Sequence, residues 1–319
     1  MKTQYSFQRI VTGADLAIRR LPMMRADSEV KGPTLWLTAC MHGEEVGGIA
    51  LIQDLFADLQ KQGLICGQVC AFPLLNPWGF ETMTRTVHPT GEDLNRSFPG
   101  NPKGTLAQRM AAKILPAIDG TSPDLVIDLH HDWVRSVPYG LLDPWNAEFD
   151  QTAWEKSKSY LKQCDMLQVI DTDVIPSSLT YNLLMKGIPS LTFELGESYR
   201  INEPQIRFGL EIIWQLLSHL GMVQPRTDLA KKATEGSKAR LLQYAPGPIA
   251  SEAGIIRYKV LPGDVVRKNQ PIACIYNSFG KKLKTLKAQE QAVVLGYRDY
   301  AVVFPGMQVM AFGLIGPEL

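Results

Sequence analysis

Between residues 33 and 222 the chain alternates short apolar runs with longer amphipathic ones, and no other feature of the sequence constrains its fold as much. Thr34–Cys40, Gln68–Leu75, Asp124–His130 and Ser190–Leu195 read as strands: brief, rich in Val, Leu, Ile and Phe, and bounded by polar or Gly-bearing segments. Between them Val46–Gln62, Thr105–Ile118, Ala147–Cys164, Ser178–Lys186 and Pro204–Leu220 read as helices. In the last of these Ile206, Leu210, Ile213, Leu217 and Leu220 recur at helical spacing, which predicts one buried face. Gly63, Gly187 and Gly221 stand where helix C-caps are expected, since glycine enters the left-handed conformation without steric cost. Strands that alternate with helices bury a sheet under helical layers, so the expected class is α/β, a sheet flanked by helices.

The pattern then changes. Gln224–Lys238 is polar and charged and reads as a linker, and beyond it helical periodicity is lost. Short β-like runs follow at Gly254–Val260, Pro271–Tyr276, Ala292–Leu295 and Ala301–Phe304, punctuated by the turns Pro262-Gly263-Asp264 and Pro305-Gly306. Residues 1–235 are therefore expected to form an α/β domain and 240–319 a small C-terminal all-β domain. The rhythm of the latter resembles the barrel-sandwich hybrids of biotin and lipoyl carriers. Its central turn, Asn277-Ser278-Phe279-Gly280-Lys281-Lys282, lacks the flanking residues of a modified lysine, so an unmodified accessory domain is expected; a carrier modified at Lys281 or Lys282 is the faint alternative.

Charge excludes several functions. Thirty-three basic residues face 32 acidic ones, a net +1, where a dedicated nucleic-acid binder would need a basic stripe to displace phosphate counterions. Met1–Leu16 has no apolar core of a signal peptide, and no run approaches the ~18 apolar residues of a membrane span, so a cytoplasmic protein is expected, with no nucleic-acid or membrane partner. A homo-oligomer is compatible with this composition. The five cysteines, Cys40, Cys66, Cys70, Cys164 and Cys274, are scattered and odd in number, as reduced packing residues would be.

The strongest local signal is Cys40-Met41-His42-Gly43-Glu44-Glu45-Val46-Gly47-Gly48, where an apolar strand ends in a glycine-bearing turn before a helix. His42 and Glu45 lie three apart at that turn and can both face the crevice beyond the carboxyl end of the strand, where open α/β sheets place ligands. An imidazole and a carboxylate are good zinc ligands, but two leave a loose site and a third is needed. His130 supplies it from the end of another strand, 85 residues after Glu45. A close pair with one remote ligand leaves a coordination position open for water, as catalytic zinc requires. Period-2 alternation puts Asp128 on the face of His130 and turns His131 the other way, although a strand that ends here can twist either histidine inward. Glu194 closes a third apolar strand, where a carboxylate is costly to bury unless paired or functional, and beside a metal it can accept and return a proton. Between the ligand sites, Asn76-Pro77-Trp78-Gly79, Thr84-Arg85 and Gly91-Glu92-Asp93-Leu94-Asn95-Arg96 form a long polar stretch of the kind functional loops are made from, with two arginines suited to carboxylates and oxyanions.

Taken in order, His42-Gly43-Glu44-Glu45, Asp93-Leu94-Asn95-Arg96, Asp128-Leu129-His130 and Phe193-Glu194-Leu195-Gly196 resemble the succinylglutamate desuccinylase/aspartoacylase family of the zinc carboxypeptidase-like superfamily. The resemblance covers nearly the whole chain, from Gly32-Pro33 into the C-terminal β domain. It implies a zinc carboxypeptidase-like mixed sheet flanked by helices and one Zn²⁺ per chain on His42, Glu45 and His130, with Glu194 as general base and acid. It further implies Arg85 as the residue that polarises the scissile carbonyl, and Asn95 and Arg96 as the pair that grips a substrate carboxylate. One departure matters. Aspartoacylases place an arginine about ten residues before the catalytic glutamate, and Leu184 stands there in this chain, with Lys186 nearby.

Residues and resemblance together predict a zinc-dependent deacylase that cleaves the amide of a small N-acyl amino acid bearing a free carboxylate. N-acetylaspartate and succinylglutamate fit poorly without the missing arginine. The alternatives are a metallocarboxypeptidase acting on short peptides and a non-catalytic binding module that retains the fold.

Overall fold

The computed structural model describes residues 2–12, 16–225, 241–298 and 300–316. In chain order the first half contains β1 (Lys2–Thr12), β2 (Ile18–Asp27), β3 (Thr34–Ala39), α1 (Gly47–Gln62), β4 (Gln68–Phe72), α2 (Pro77–Thr82), α3 (Leu106–Asp119) and β5 (Leu125–His130). It continues with β6 (Arg135–Ser136), β7 (Tyr139–Leu142), α4 (Gln151–Lys162), β8 (Leu167–Ile170), α5 (Leu179–Met185), β9 (Ser190–Glu194) and α6 (Glu203–His219). The C-terminal part holds β10 (Leu241–Pro246), β11 (Gly254–Tyr258), β12 (Val265–Val266), β13 (Pro271–Tyr276), β14 (Lys282–Lys287), β15 (Ala292–Tyr297), β16 (Val302–Val303) and β17 (Met310–Leu314).

Most strands join one mixed 13-stranded sheet in the order β1-β2-β4-β3-β5-β9-β7-β8-β10-β17-β15-β12, with β6 paired to β15. The centre is parallel: β3 pairs with β4 and β5, and β5 with β9. β2 on β4 and β7 on β9 run antiparallel. Strict alternation on β3 explains the layering. Leu35, Leu37 and Ala39 enter a core with α1, α4 and α6, where Phe56, Trp154 and Trp214 pack. Trp36 turns to the opposite core, formed with α3 and α5 by Met110, Ile114 and Leu183. Each such side chain taken from water contributes roughly 1.5–3 kcal/mol, enough to fix which face every central strand presents.

The predicted elements recur with shifted ends that have local causes. The strand expected to reach Leu75 stops at Phe72, because Pro73 has no N–H for the ladder. The helix expected from Ala147 starts at Gln151, where Asp150 accepts a hydrogen bond from Ala153 N at 2.8 Å and caps it. Gly63 is the C-cap of α1, and Gly187 and Gly221 follow the caps of α5 and α6 with φ of 74° and 71°. A second sheet, β14-β13-β11-β16, lies in the C-terminal part and shares a core of Ile256, Val266, Ile272, Val294 and Phe312 with the end of the large sheet. The expected linker Gln224–Lys238 falls, beyond Pro225, outside the described residues. Among the described residues no helix is long and apolar enough to cross a membrane.

Candidate active site

Three parallel strands, β3, β5 and β9, end at one edge of the sheet, and every residue of the site's centre sits at or just past those ends. Ladder register sets His130 opposite Glu194 across β5 and β9, and Leu195 N donates to His130 O at 2.8 Å. Past β3 the chain turns sharply. Cys40 takes φ of 52°, Glu45 N donates to His42 O at 3.1 Å, and Gly43 lies so close to α2 that a Cβ there would sit 1.9 Å from the Gly79 carbonyl carbon. Only glycine fits that approach. The turn delivers His42 and Glu45 together, buried at 2% exposure each, just before α1.

Glu45 stands between two imidazoles. His42 Nδ1 is 2.6 Å from Glu45 Oε1 and His130 Nδ1 is 2.9 Å from Glu45 Oε2. His42, Glu45 and His130 each offer one donor atom, all within 4.8 Å of one another, and form a group that can hold a metal ion. The outer nitrogens are spoken for: His130 Nε2 meets Asp128 Oδ2 at 2.8 Å and His42 Nε2 meets Asp93 Oδ1 at 3.2 Å. A carboxylate at Nε2 favours the proton there and leaves the Nδ1 lone pair to face the shared centre, the usual arrangement around histidines that bind metals. Asp128 is itself anchored by Thr38 Oγ1 at 2.6 Å. Burial opposes charge on these groups, but the neighbours win. Asp128 and Glu45 raise His130 well above the ordinary imidazole value, and Glu45 and Asp93 raise His42. Against the same burial, the two histidines hold Glu45 well below the carboxylate range. An ionised carboxylate and two basic imidazoles fit a borderline divalent cation.

His130, the last residue of β5, brings its ring to the donor atoms of His42 and Glu45. His131 faces the other way, its Nε2 2.4 Å from where a Cβ on Gly47 would be, and meets Glu45 Oε2 only through its backbone N–H, at 3.1 Å. Burial drives its pKa down to about 4, so the ring is neutral.

Glu194 Oε2 is buried without a hydrogen-bond partner. Burial, reinforced by the charge of Asp132, pushes the Glu194 carboxyl well above its usual range. Asp132 accepts from Tyr139 Oη at 2.7 Å and is itself raised to about 7, first by burial. Arg85 lies at the rim, Nη1 3.4 Å from His42 Nδ1 and 3.9 Å from Glu45 Oε1, its Nε donating to Asp93 Oδ2 at 3.0 Å. Asn95 uses its side-chain oxygen to accept from Leu179 N at 2.9 Å, which ties the loop to the start of α5, and Arg96 Nη1 donates to Asn95 O at 2.8 Å. All seven residues singled out in the sequence, His42, Glu45, His130, Glu194, Arg85, Asn95 and Arg96, line a single cleft of about 330 Å³. Leu184 does not: it is a fully buried residue of α5 that faces the core, and Lys186 pairs with Asp119 at 2.8 Å.

Other residues of the cleft carried no assignment in the sequence. Asp132, two residues past His130, could have been suspected from that proximity alone. Tyr244, Pro246 and Gln308 come from the C-terminal part and Asp143 and Asp171 from the ends of β7 and β8, and no local spacing connects them to the ligands.

In fold the chain is similar to a metallo-carboxypeptidase from Burkholderia cenocepacia, with TM-score 0.55 and 16% identity over 68% of this chain and 65% of that one. Residues 31–220 match the succinylglutamate desuccinylase/aspartoacylase catalytic domain, and the chain belongs to that family of deacylases. It is 26% identical over 259 residues, 77% of this chain and 71% of the relative, to the N-α-acetyl-L-2,4-diaminobutyric acid deacetylase of Halomonas elongata. Two solved structures share the whole fold. The succinylglutamate desuccinylase/aspartoacylase from Rhodobacter sphaeroides has TM-score 0.82 and 23% identity, and the ectoine utilization protein EutE (DoeB) from Ruegeria pomeroyi 0.85 and 19%; each comparison covers 98% of this chain and 95% of the other.

Proposed function

We propose that this protein is a zinc-dependent deacylase that hydrolyses the amide bond of a small N-acyl amino acid with a free α-carboxylate. The observation that supports it best is the buried His42–Glu45–His130 group with the unpartnered Glu194 Oε2 in the same cleft. Bound there, Zn²⁺ would acidify a water molecule towards pKa ~7 and polarise the amide carbonyl. Glu194 receives the proton of the attacking water at its free oxygen and hands it to the departing amine nitrogen. An environment that favours the protonated carboxyl suits a group that must hold a proton between those two transfers. Arg85, held through Nε by Asp93, keeps its Nη atoms available to the carbonyl oxygen as charge develops on it. Arg96, beside Asn95 on the same wall, receives the α-carboxylate through its planar fork. Tyr244, Pro246 and Gln308 of the C-terminal part add to the lining of the cleft, which suits a short substrate better than a peptide. In this reading residues 1–235 are the catalytic unit and 240–319 an accessory unit that contributes this wall. A cytoplasmic setting accompanies it, supported by five free cysteines.

The test is to measure zinc per chain and then turnover on a panel of N-acetyl and N-succinyl amino acids and dipeptides. About one zinc and release of a free amino acid from an acyl substrate is the expected result. Preferential cleavage of dipeptides would make the protein a carboxypeptidase, and stoichiometric zinc with no amide cleaved would make it a binding module.

A further inference from the structure

A strand at the edge of a sheet presents a row of N–H and C=O groups that can pair with another chain, and proteins blunt such edges by short length, lysine or shifts of register. Among the described residues every edge but one is blunted here. β6, β12 and β16 have two residues each. β14, at one side of the small sheet, carries Lys282, Lys284 and Lys287 and meets β13 with two shifts of register.

β1 has none of these devices. It spans 11 residues at the end of the large sheet and, among the described residues, pairs only with β2. From Lys2↔Asp27 to Arg9↔Arg20 the register runs through eight pairs without a shift. Thr3–Gln8 contains neither a charge nor a proline. On one face of this strand Tyr5 and Phe7 are each 64% exposed. They are nonetheless held: Tyr5 Oη accepts from Gln60 Nε2 at 2.8 Å, and the Arg20 guanidinium stands 5.8 Å from the centre of the Phe7 ring.

The order of side chains along β1 is its own complement. Laid antiparallel about a two-fold axis beside Ser6, a second copy sets Ser6 on Ser6, Gln4 on Gln8, Tyr5 on Phe7 and Thr3 on Arg9. Amides meet amides, rings meet rings, and Lys2 falls opposite Ile10, away from Arg9. Tyr5 and Phe7 of both copies then gather on one face as two cross-strand aromatic pairs. A slip of one residue, with Tyr5 against Ser6, sets Phe7 on Gln4 and brings Lys2 directly against Arg9. We propose that β1 is a dimerisation edge, through which two copies of this chain join by antiparallel β1–β1 pairing centred on Ser6, so that their large sheets become one. An extended segment of another protein would satisfy the same N–H and C=O groups, but it would not account for the match of the strand to its own reverse.

Sedimentation velocity of the full chain across the micromolar range tests this. A reversible dimer is expected. Tyr5→Lys/Phe7→Lys sets four ammonium groups around the axis and should raise the dissociation constant on the order of a hundredfold, with the circular-dichroism spectrum unchanged because both side chains are exposed. Ser6→Cys places two thiols across the axis, and a short bis-maleimide should link the chains covalently. Arg9→Cys sets its two thiols six residues apart along the strands, roughly 20 Å, and should stay unlinked. Wild type treated alike controls for Cys66, the one partly exposed native cysteine. The cross-linking pair decides by itself should the double variant unfold. A chain that stays monomeric throughout overturns the proposal, as does a dimer in which Ser6→Cys fails to link or Arg9→Cys links equally well. Association that runs on past two copies also overturns it and makes β1 an aggregation edge. So does a monomer whose β1 amides gain protection from hydrogen exchange only when an unrelated extended peptide is added.

Discussion

The two oxygens of Asp93 serve different partners, so exchanging one of them for nitrogen separates two functions of the site. Oδ1 accepts from Asn95 N at 2.8 Å and faces His42 Nε2 at 3.2 Å, while Oδ2 accepts from Arg85 Nε at 3.0 Å. In Asp93→Asn the amide oxygen is drawn to the side with two donors, which leaves the NH₂ group against Arg85. His42 keeps an acceptor and Arg85 loses one. A hydrogen bond to a charged group contributes about 1.5–3 kcal/mol, and with the Arg85 side chain 47% exposed the lower end applies after solvent screening. The expected loss in kcat/KM is therefore on the order of tenfold, with zinc affinity changed by less than that. Asp93→Ala removes both acceptors and the cap on Asn95, and zinc affinity should then fall about 10–100-fold, the usual effect of deleting a ligand's outer partner. Competition with a chromogenic chelator gives the affinities, and steady-state kinetics at saturating zinc gives the rates. Equal loss of zinc in the Asn and Ala variants would refute the division of labour between the two oxygens, and so would an Asn variant with undiminished kcat/KM.

Three further outcomes are expected. Glu194→Gln should retain zinc and lose about 10²–10⁴-fold in kcat, measured on any confirmed substrate. His130→Ala should lose metal and activity together while His131→Ala keeps most of its metal, which elemental analysis of the purified variants decides. Because carboxylates hold His42 and His130 above the ordinary imidazole value, protons compete with metal already near neutrality, so apparent zinc affinity should fall as pH drops from 8 to 6; titrations in buffers of different ionisation enthalpy should detect the protons released on binding.

Much of the site was legible because its residues stand at strand ends, where an apolar run interrupted by His or Glu is conspicuous. Alternation then did the rest: Asp128 and His130 share a face, and His131 turns to the opposite one, against Gly47. What escaped had no such contrast. β1 and β2 are half exposed on both faces, with Tyr5 and Phe7 each at 64%, so neither strand shows a buried stripe to announce it. α2 leaves no periodic signal in the sequence, its six residues being too few, although Asn76 and Pro77 form an ordinary cap-and-first-turn pair. Tyr244 and Gln308 reach the cleft only because β10 threads beside β8, a pairing across more than seventy residues that no local pattern encodes.

That pairing has a consequence for anyone who would cut the chain where its composition changes. β10 hydrogen-bonds in parallel to β8 through Leu241, Leu242 and Gln243, and in antiparallel fashion to β17 through Gln243 to Pro246. A fragment ending at residue 225 would leave β8 as a bare border with a row of unsatisfied N–H and C=O groups. It would also uncover the apolar surface of Val169, which packs with Leu242, Val293 and Leu295. Such a border invites strands from other molecules, and the shortened protein should precipitate or self-associate on expression. The last quarter of the polypeptide is thus a seam that completes the sheet, and an engineer seeking a smaller catalyst would have to re-hem that edge with charge or proline before removing it.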